Sequence, residues 1–285
     1  MKQTMWVQVW TILMSIAMVR GHGFLQLPTS RNLDAYENKK DYNFMSLNAG
    51  GTGTVQSKTF GGLYLMPDPV ANAEQRHGMC GDISEQVQKY NDDVNAYSIL
   101  HSYEEGDTIT IEVVLTAHHM GHFEFYLCNV DQLIYPTKGI TQECLYQHPL
   151  VRAPDDGISP IDPNYPFRYY LEPTACMTYQ TDGYPGYKAT MKYTLPPGVV
   201  CDHCVLQWWY YTGNSCIYDG YHEFEGMKSP CTTPWYNSRL GNCKDPGTYP
   251  EEFWNCADIR IKKKARPGPS PSPSPSPGPG PSQNG

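Results

Sequence analysis

The sequence predicts an all-β chain, an antiparallel β-sandwich with long loops and several disulfides. Three observations carry this. Short apolar runs alternate with a period of two and are separated by turn-rich stretches, the pattern of half-buried strands. Gly and Pro number 25 each and Tyr 22, while 18% of residues are charged, a composition that suits a loop-rich β domain better than a helical bundle. All ten cysteines fall between Cys80 and Cys256; an even number in a secreted chain suggests up to five disulfides and leaves their pairing open.

The elements follow in chain order. Residues 1–21 read as a secretory signal peptide. Lys2 gives a positive start, 5–19 is mostly apolar but short for a membrane span, and Val19-Arg20-Gly21 ends on a small residue. Cleavage after Gly21 makes His22 the first residue of the mature protein. Residues 22–62 hold few periodic apolar runs and are expected to wrap over a sheet, with Gly50-Gly51-Thr52-Gly53 as a flexible loop. A short helix fits 82–90, with Ser84 as its N-cap.

The clearest strand is 108–117, where Ile109, Ile111, Val113 and Leu115 alternate with Thr108, Thr110, Glu112 and Val114. In 123–128, Phe123, Phe125 and Leu127 take one side, and Glu124, Tyr126 and Cys128 the other. Between these strands lies Ala117-His118-His119-Met120-Gly121-His122, a histidine cluster at a strand junction, where scaffolds commonly carry chemistry. Residues 135–193 read mostly as loops. Further strands are 189–195, 205–211 and 256–262, the last with Ala257, Ile259 and Ile261 inward and Asp258 and Arg260 outward. Residues 22–266 thus form one domain. Residues 267–285 are a disordered Pro/Ser/Gly-rich tail; nineteen residues at ~3.1 Å each reach about 60 Å.

Charge excludes some functions. Without Lys2 and Arg20 the mature chain has 19 basic against 29 acidic residues, a poor match for nucleic acid. No apolar stretch after the signal is long enough to span a bilayer, and a monomer is expected.

The nine histidines raise metal binding. An N-terminal histidine chelates through its α-amine and Nδ1, and a second histidine completes a three-nitrogen site of the kind that suits Cu(II). Zinc fits less well. The histidine cluster lacks the glutamate of His-Glu-x-x-His and sits in strand-rich sequence, and Cys201-x-x-Cys204 is better explained as a disulfide. Taken singly, His118, His119 and His122 are more often surface or structural residues than ligands.

A hydrolase would need a pair of carboxylates flanking the bond. Glu104-Glu105, Asp155-Asp156 and Glu251-Glu252 are expected instead to be solvated. Trp208, Trp209, Tyr210, Tyr211 and Trp254 could carry oxidising holes, with core packing the default. Tyr165, Phe167, Tyr169, Tyr170, Tyr184 and Tyr187 look exposed and able to stack on sugar rings.

Four motifs occur in order: His22-Gly23 after the signal, Thr116-Ala117-His118-His119-Met120-Gly121-His122-Phe123-Glu124-Phe125, Leu206-Gln207-Trp208-x-Tyr210-x-x-Gly213-Asn214-Ser215, and Glu251-x-Phe253-x-x-Cys256-Ala257-Asp258-Ile259. Together they resemble the lytic polysaccharide monooxygenases, secreted copper enzymes with an immunoglobulin-like β-sandwich. The resemblance implies one copper per chain held by His22 and His119, with His118 outside the ligand set. Phe253 takes the axial position and supplies no ligand atom; Glu251 helps position the oxygen species. An external electron donor and O2 or H2O2 complete the implied chemistry, in which a glycosidic carbon is hydroxylated and the bond breaks by elimination.

The implied partner is a plant or other cell-wall polysaccharide. The Trp208 and Cys256 motifs look like the arthropod-type family, active on chitin and cellulose. The N-terminal third departs from it: no cysteine precedes Cys80, and Asn214-Ser215-Cys216 stands where Asn-Ser-Trp is expected. This divergence and the Pro-Ser tail look more like the oomycete family that acts on pectic homogalacturonan, which is the expected substrate. That polymer is an anion, so an acidic protein needs a basic patch, for which Arg31, Lys39, Lys40 and Lys58 are candidates. Two other classes remain open: a copper-binding protein of this fold that oxidises nothing, and a non-catalytic wall-binding module that has no need of His22 at its terminus.

Overall fold

The computed structural model describes residues 23–40, 44–58, 73, 75–84, 90, 97–133, 139–154, 159–181, 183–223 and 239–265. The expected signal at 1–21, His22 and the 267–285 tail lie outside the described residues.

Among the described residues ten strands form two sheets. They are β1 (Phe24–Leu27), β2 (His101–Glu104), β3 (Thr108–Leu115), β4 (His122–Asn129), β5 (Val151–Arg152), β6 (Tyr169–Tyr170), β7 (Thr178–Gln180), β8 (Gly186–Thr194), β9 (Cys201–Tyr211) and β10 (Glu252–Lys262). The first sheet runs β1-β3-β8-β5, with β7 also paired to β8; the second runs β2-β10-β9-β4-β6. The named pairs are antiparallel except β10–β2, which is parallel. The expected β-sandwich is therefore present, with one parallel edge.

Strand alternation builds the core between the sheets. Ile109, Ile111, Val113 and Leu115 of β3 meet Phe123, Phe125 and Leu127 of β4, Trp208 and Tyr210 of β9, and Phe253, Ala257 and Ile259 of β10. The outward faces of β4, β9 and β10 are buried as well. Tyr126, Cys128, Trp209, Tyr211, Trp254 and Cys256 pack beneath loop residues that include Met79, Cys80, Ile217 and Tyr218. Disulfides fasten this second layer. Cys80–Cys256 ties a loop to β10, Cys128–Cys144 ties α3 (Gln142–Tyr146) to β4, and Cys216–Cys243 closes a loop; Cys201–Cys204, within β9, belongs instead to the inner core. Cys176 is also disulfide-bonded, its partner lying outside the described residues.

That buried outer layer overturns several expectations. Asp258 faces outward from its sheet as expected, but α1 (Arg31–Glu37) covers it and it is buried. Arg31 Nε and Nη2 each donate to it at 2.7 Å, and His203 Nε2 lies 2.6 Å away. Burial alone would raise the Asp258 pKa; the bonds from Arg31 and His203 outweigh it and hold the carboxyl below its ordinary range. Arg31 is thus spent inside the fold and belongs to no surface patch. Glu252, expected to be solvated, is buried and accepts from Arg76 Nη1 at 2.6 Å and Trp209 Nε1 at 3.0 Å.

The expected flexible loop at 50–53 instead enters a helix, α2 (Thr52–Ser57). Gly51 at φ 85° makes the turn, and the helix buries Val55. Of the helix expected at 82–90, residues 85–89 lie outside the described residues; Ser84 Oγ donates to the Gln75 carbonyl at 2.7 Å. The stretch expected to be mostly loop also holds α3, β5, β6, β7 and the first residues of β8. Tyr169 and Tyr170, expected exposed, form β6 and are buried.

Candidate metal centre

β3 ends at Leu115 and β4 starts at His122, so His118 and His119 sit on the connection at one end of the sandwich. The backbone there is unusual. Met120 has φ 57° and Gly121 φ 93°, both left-handed. At Gly121 only glycine fits, because a Cβ would lie 2.0 Å from the Tyr211 carbonyl oxygen.

Four hydrogen bonds fix this loop. The His119 N–H donates to Tyr210 Oη at 3.0 Å, and that hydroxyl donates onward to the Met120 carbonyl at 2.8 Å. The Gly213 N–H donates to the His119 carbonyl, and the Leu171 N–H to the Gly121 carbonyl, each at 2.9 Å. Both backbone groups of His119 are therefore held, and its side chain remains 22% exposed.

Glu251 lies beside it, with Oε2 3.8 Å from His119 Nε2. The Thr212 N–H donates to the Glu251 carbonyl at 3.2 Å, placing this residue at the mouth of the β9–β10 pair. Phe253 is fully buried, its ring stacked on Tyr210 at 5.7 Å and 30°. It therefore backs the tyrosine that holds His119.

His22 lies outside the described residues, but its neighbour does not. The Gly23 N–H donates to the Met45 carbonyl at 3.1 Å, and a Cβ on Gly23 would meet Leu115 Cδ2 at 2.6 Å. Gly23 thus packs against the end of β3, from which the histidine loop departs.

The other two histidines of the cluster are engaged elsewhere. His118 Nδ1 accepts from the Met120 N–H at 3.2 Å, so Nε2 carries the proton and donates to the Glu172 carbonyl at 2.8 Å. Burial lowers its pKa, which agrees with a neutral ring. His122 is fully buried, with Nδ1 2.5 Å from Tyr221 Oη and Nε2 3.0 Å from Glu124 Oε1. Burial, and then the Arg168 charge, bring its pKa down to about 4, against the pull of Glu124. Glu124 also bonds Tyr126 and Arg168, closing a buried polar network.

Among the described residues no three His, Cys, Asp or Glu side chains group to hold a metal ion. A metal at His119 therefore needs donors from outside that set, and an N-terminal residue 22 next to Gly23 would bring two nitrogens. The fit rests on one partly exposed imidazole whose backbone is locked, and on a nitrogen-rich donor set that suits copper.

Sequence reasoning missed Tyr210 as the anchor of His119. The alternation of β9 assigns it to the inner face, but the reach of its hydroxyl depends on how β9 meets the histidine loop. The five aromatics considered together divide between two faces: Trp208 and Tyr210 in the inner core, Trp209, Tyr211 and Trp254 in the outer layer.

The family described as "Lytic polysaccharide mono-oxygenase, cellulose-degrading" matches residues 22–259. Among solved structures, the lytic polysaccharide monooxygenase AA15 from Thermobia domestica in its Cu(I) state is 26% identical with a TM-score of 0.52, covering 85% of this chain and 99% of that one. A chitin binding domain from Burkholderia pseudomallei is 15% identical with a TM-score of 0.40, covering 84% and 98%. The cellulose-active CelS2, solved with copper, is 14% identical with a TM-score of 0.44, covering 85% and 100%. No curated protein sequence matches. Since the family match runs from position 22 through β3, the histidine loop and nearly all of β10, the chain belongs to the lytic polysaccharide mono-oxygenase family.

Proposed function

We propose that the protein is a secreted, copper-dependent polysaccharide monooxygenase whose metal is held by His22 and His119. The observation that carries this is the pinned, partly exposed His119 beside Glu251, with Gly23 packed where its own loop begins. The family match supports His22 as the mature terminus, because it starts at that position. The Thermobia domestica relative, described in its Cu(I) state, supports copper as the metal.

Bound copper, reduced by an external donor, would supply the activation of O2 or H2O2 that C–H oxidation requires. The chain's own groups do the rest. His119 offers its imidazole in a fixed direction because both its backbone groups are tied. Glu251 sets a carboxylate at the edge of the site, where it can hold a hydrogen bond to a polar cosubstrate. Phe253 keeps the floor beneath Tyr210 apolar and offers no ligand atom. The partly exposed site fits a polymer that cannot enter a deep cleft.

The substrate reading is pectic homogalacturonan. It rests on the late first cysteine, Cys216 in place of the expected tryptophan, and the Pro-Ser tail. The charge requirement then falls on Lys39, Lys40 and Lys58, since Arg31 is buried against Asp258. The same chemistry on chitin or cellulose is the second reading, favoured by the Trp208 and Cys256 motifs. Signal cleavage after Gly21, a monomeric state and a disordered tail complete the proposal. Among the described residues no helix is long and apolar enough to cross a membrane.

The test is mass spectrometry of soluble products from the copper-loaded mature protein, offered homogalacturonan, chitin and cellulose with ascorbate, beside a metal-stripped control. Oxidised oligosaccharides that need copper support the reading, and the responsive polymer names the substrate. Bound copper with no oxidised product on any polymer favours copper binding or wall binding instead.

A further inference from the structure

Beside the histidine loop an aromatic row crosses the end of the first sheet. Leu115 pairs with Tyr187 of β8, and Tyr187 pairs with Tyr179 of the edge strand β7. The Tyr179 and Tyr187 rings meet edge to face at 5.1 Å and 81°. Tyr187 in turn meets the ring of His118 at 6.5 Å and 83°, and His118 adjoins His119. The row thus leads from the candidate metal centre to the sheet edge.

Tyr179 is 53% exposed. Among the described residues three other large apolar side chains are exposed to a comparable degree, Leu100, Val151 and Val200, and all are aliphatic. None of them lies at the end that carries His119: Val151 pairs with Thr194 at the far end of β8, Val200 precedes the first residue of β9, and Leu100 precedes β2, which starts opposite Ile259, well along β10. Tyr179 alone among them shares the end that carries His119.

The platform is also rigid. Gln180 Nε2 donates to the Tyr184 carbonyl at 2.6 Å and approaches Gln26 Oε1 at 3.3 Å, binding β7 back towards β1. Gly186, opposite Gln180, admits no side chain: a Cβ would lie 2.6 Å from Val114 Cγ1 and 2.8 Å from the Leu115 carbonyl oxygen. The strands therefore lie close, and the tyrosine rings stand on a fixed base. From Gly23, against Leu115, the row spans three strand spacings to Tyr179, roughly 14 Å.

We infer that Tyr179, backed by Tyr187, is a sugar-stacking platform that holds a pyranose polymer several rings away from the point of attack. The inference rests on the polysaccharide reading of the site and adds to it where the chain is gripped. The apolar C–H face of a pyranose suits the π face of a phenol ring, and such packing is indifferent to charge. Lys188, next to Tyr187, is matched by Glu112 at 2.9 Å, so the platform recognises the ring rather than a carboxylate.

The experiment measures binding of the copper-free, full-length mature protein to insoluble chitin, cellulose and calcium pectate gel. Depletion isotherms compare wild type with Tyr179→Ala, Tyr179→Phe and, as an exposed apolar control, Leu100→Ala. On the polymer that wild type binds, Tyr179→Ala is expected to weaken affinity about tenfold, while Tyr179→Phe and Leu100→Ala bind as wild type does. An unchanged isotherm for Tyr179→Ala on that polymer overturns the platform and leaves the monooxygenase reading standing. Wild type that binds none of the polymers overturns both. Sedimentation showing that Tyr179→Ala dissociates a wild-type dimer would make the ring a contact between copies, which also overturns the platform.

Discussion

His119 and His122 are three residues apart and meet opposite environments. His122 opens β4 and points to the outer face of its sheet, where loops seal it; both ring nitrogens are engaged and the ring stacks on Tyr211 at 4.8 Å. His119 lies on the loop before the strand, where the protein holds the backbone and leaves the side chain partly open. Fixing a histidine through its ring makes it structural. Fixing it through its backbone directs a ring that stays partly exposed beside Glu251. The difference follows from the Met120–Gly121 turn, whose two left-handed residues separate the open loop from the sealed strand.

Substitutions at the two sites should therefore act on different observables. The largest effect is expected from His119→Ala, which should weaken copper binding by more than about a hundredfold, read by calorimetry, and change unfolding free energy by less than about 1 kcal/mol. His122→Ala should reverse that pattern. It strips partners from Glu124 and Tyr221 inside the fold and should cost about 2–4 kcal/mol in urea unfolding. Comparable losses of stability and of copper affinity in both variants would erase the distinction drawn here.

Tyr210→Phe sharpens it. The variant keeps the ring packed on Phe253 but removes the bonds to the His119 N–H and the Met120 carbonyl. It should lower copper affinity about tenfold and shift the Cu(II) spectrum, with a stability cost of about 1–2 kcal/mol. An unshifted spectrum would show that the tyrosine merely fills space.

A further effect is in pH. His122 titrates near 4 in the fold, below its ordinary value of 6.5, so over that interval the unfolded chain binds the proton and the folded one does not. Its neutral burial favours folding fully above about 6.5, and this contribution is lost as pH falls towards 4. Melting temperature should therefore decline less steeply between those values in His122→Gln, once the offset between the two proteins is removed.

Much of this arrangement was legible in the sequence. The period of two in 108–115 and 123–128 assigned the inner faces of β3 and β4 correctly, because both strands bury those faces against the opposite sheet. Asp258 does take the outward face that alternation assigns it, yet it is buried there, and so is Glu252, which as one of two adjacent carboxylates is expected to be solvated. In this fold outward is not wet: α1 and disulfide-fastened loops cover the second sheet, and each carboxylate there has an arginine. Tyr169 and Tyr170 misled for a related reason, since a short strand in a Pro- and Tyr-rich stretch carries too little pattern to show that it pairs with β4. The loop bearing His119 was legible as a site by its residues, whereas the hydroxyl that pins it depends on contacts between distant segments that no local pattern records.

The central claim is that His119 is one half of a copper site completed by the free terminus of His22. The most direct measurement is electron paramagnetic resonance of one equivalent of Cu(II), comparing protein that begins at His22 with protein carrying one added alanine before it. The account predicts a tetragonal, nitrogen-rich signal that requires both the free terminus and His119. An identical signal and affinity in the extended protein would contradict it.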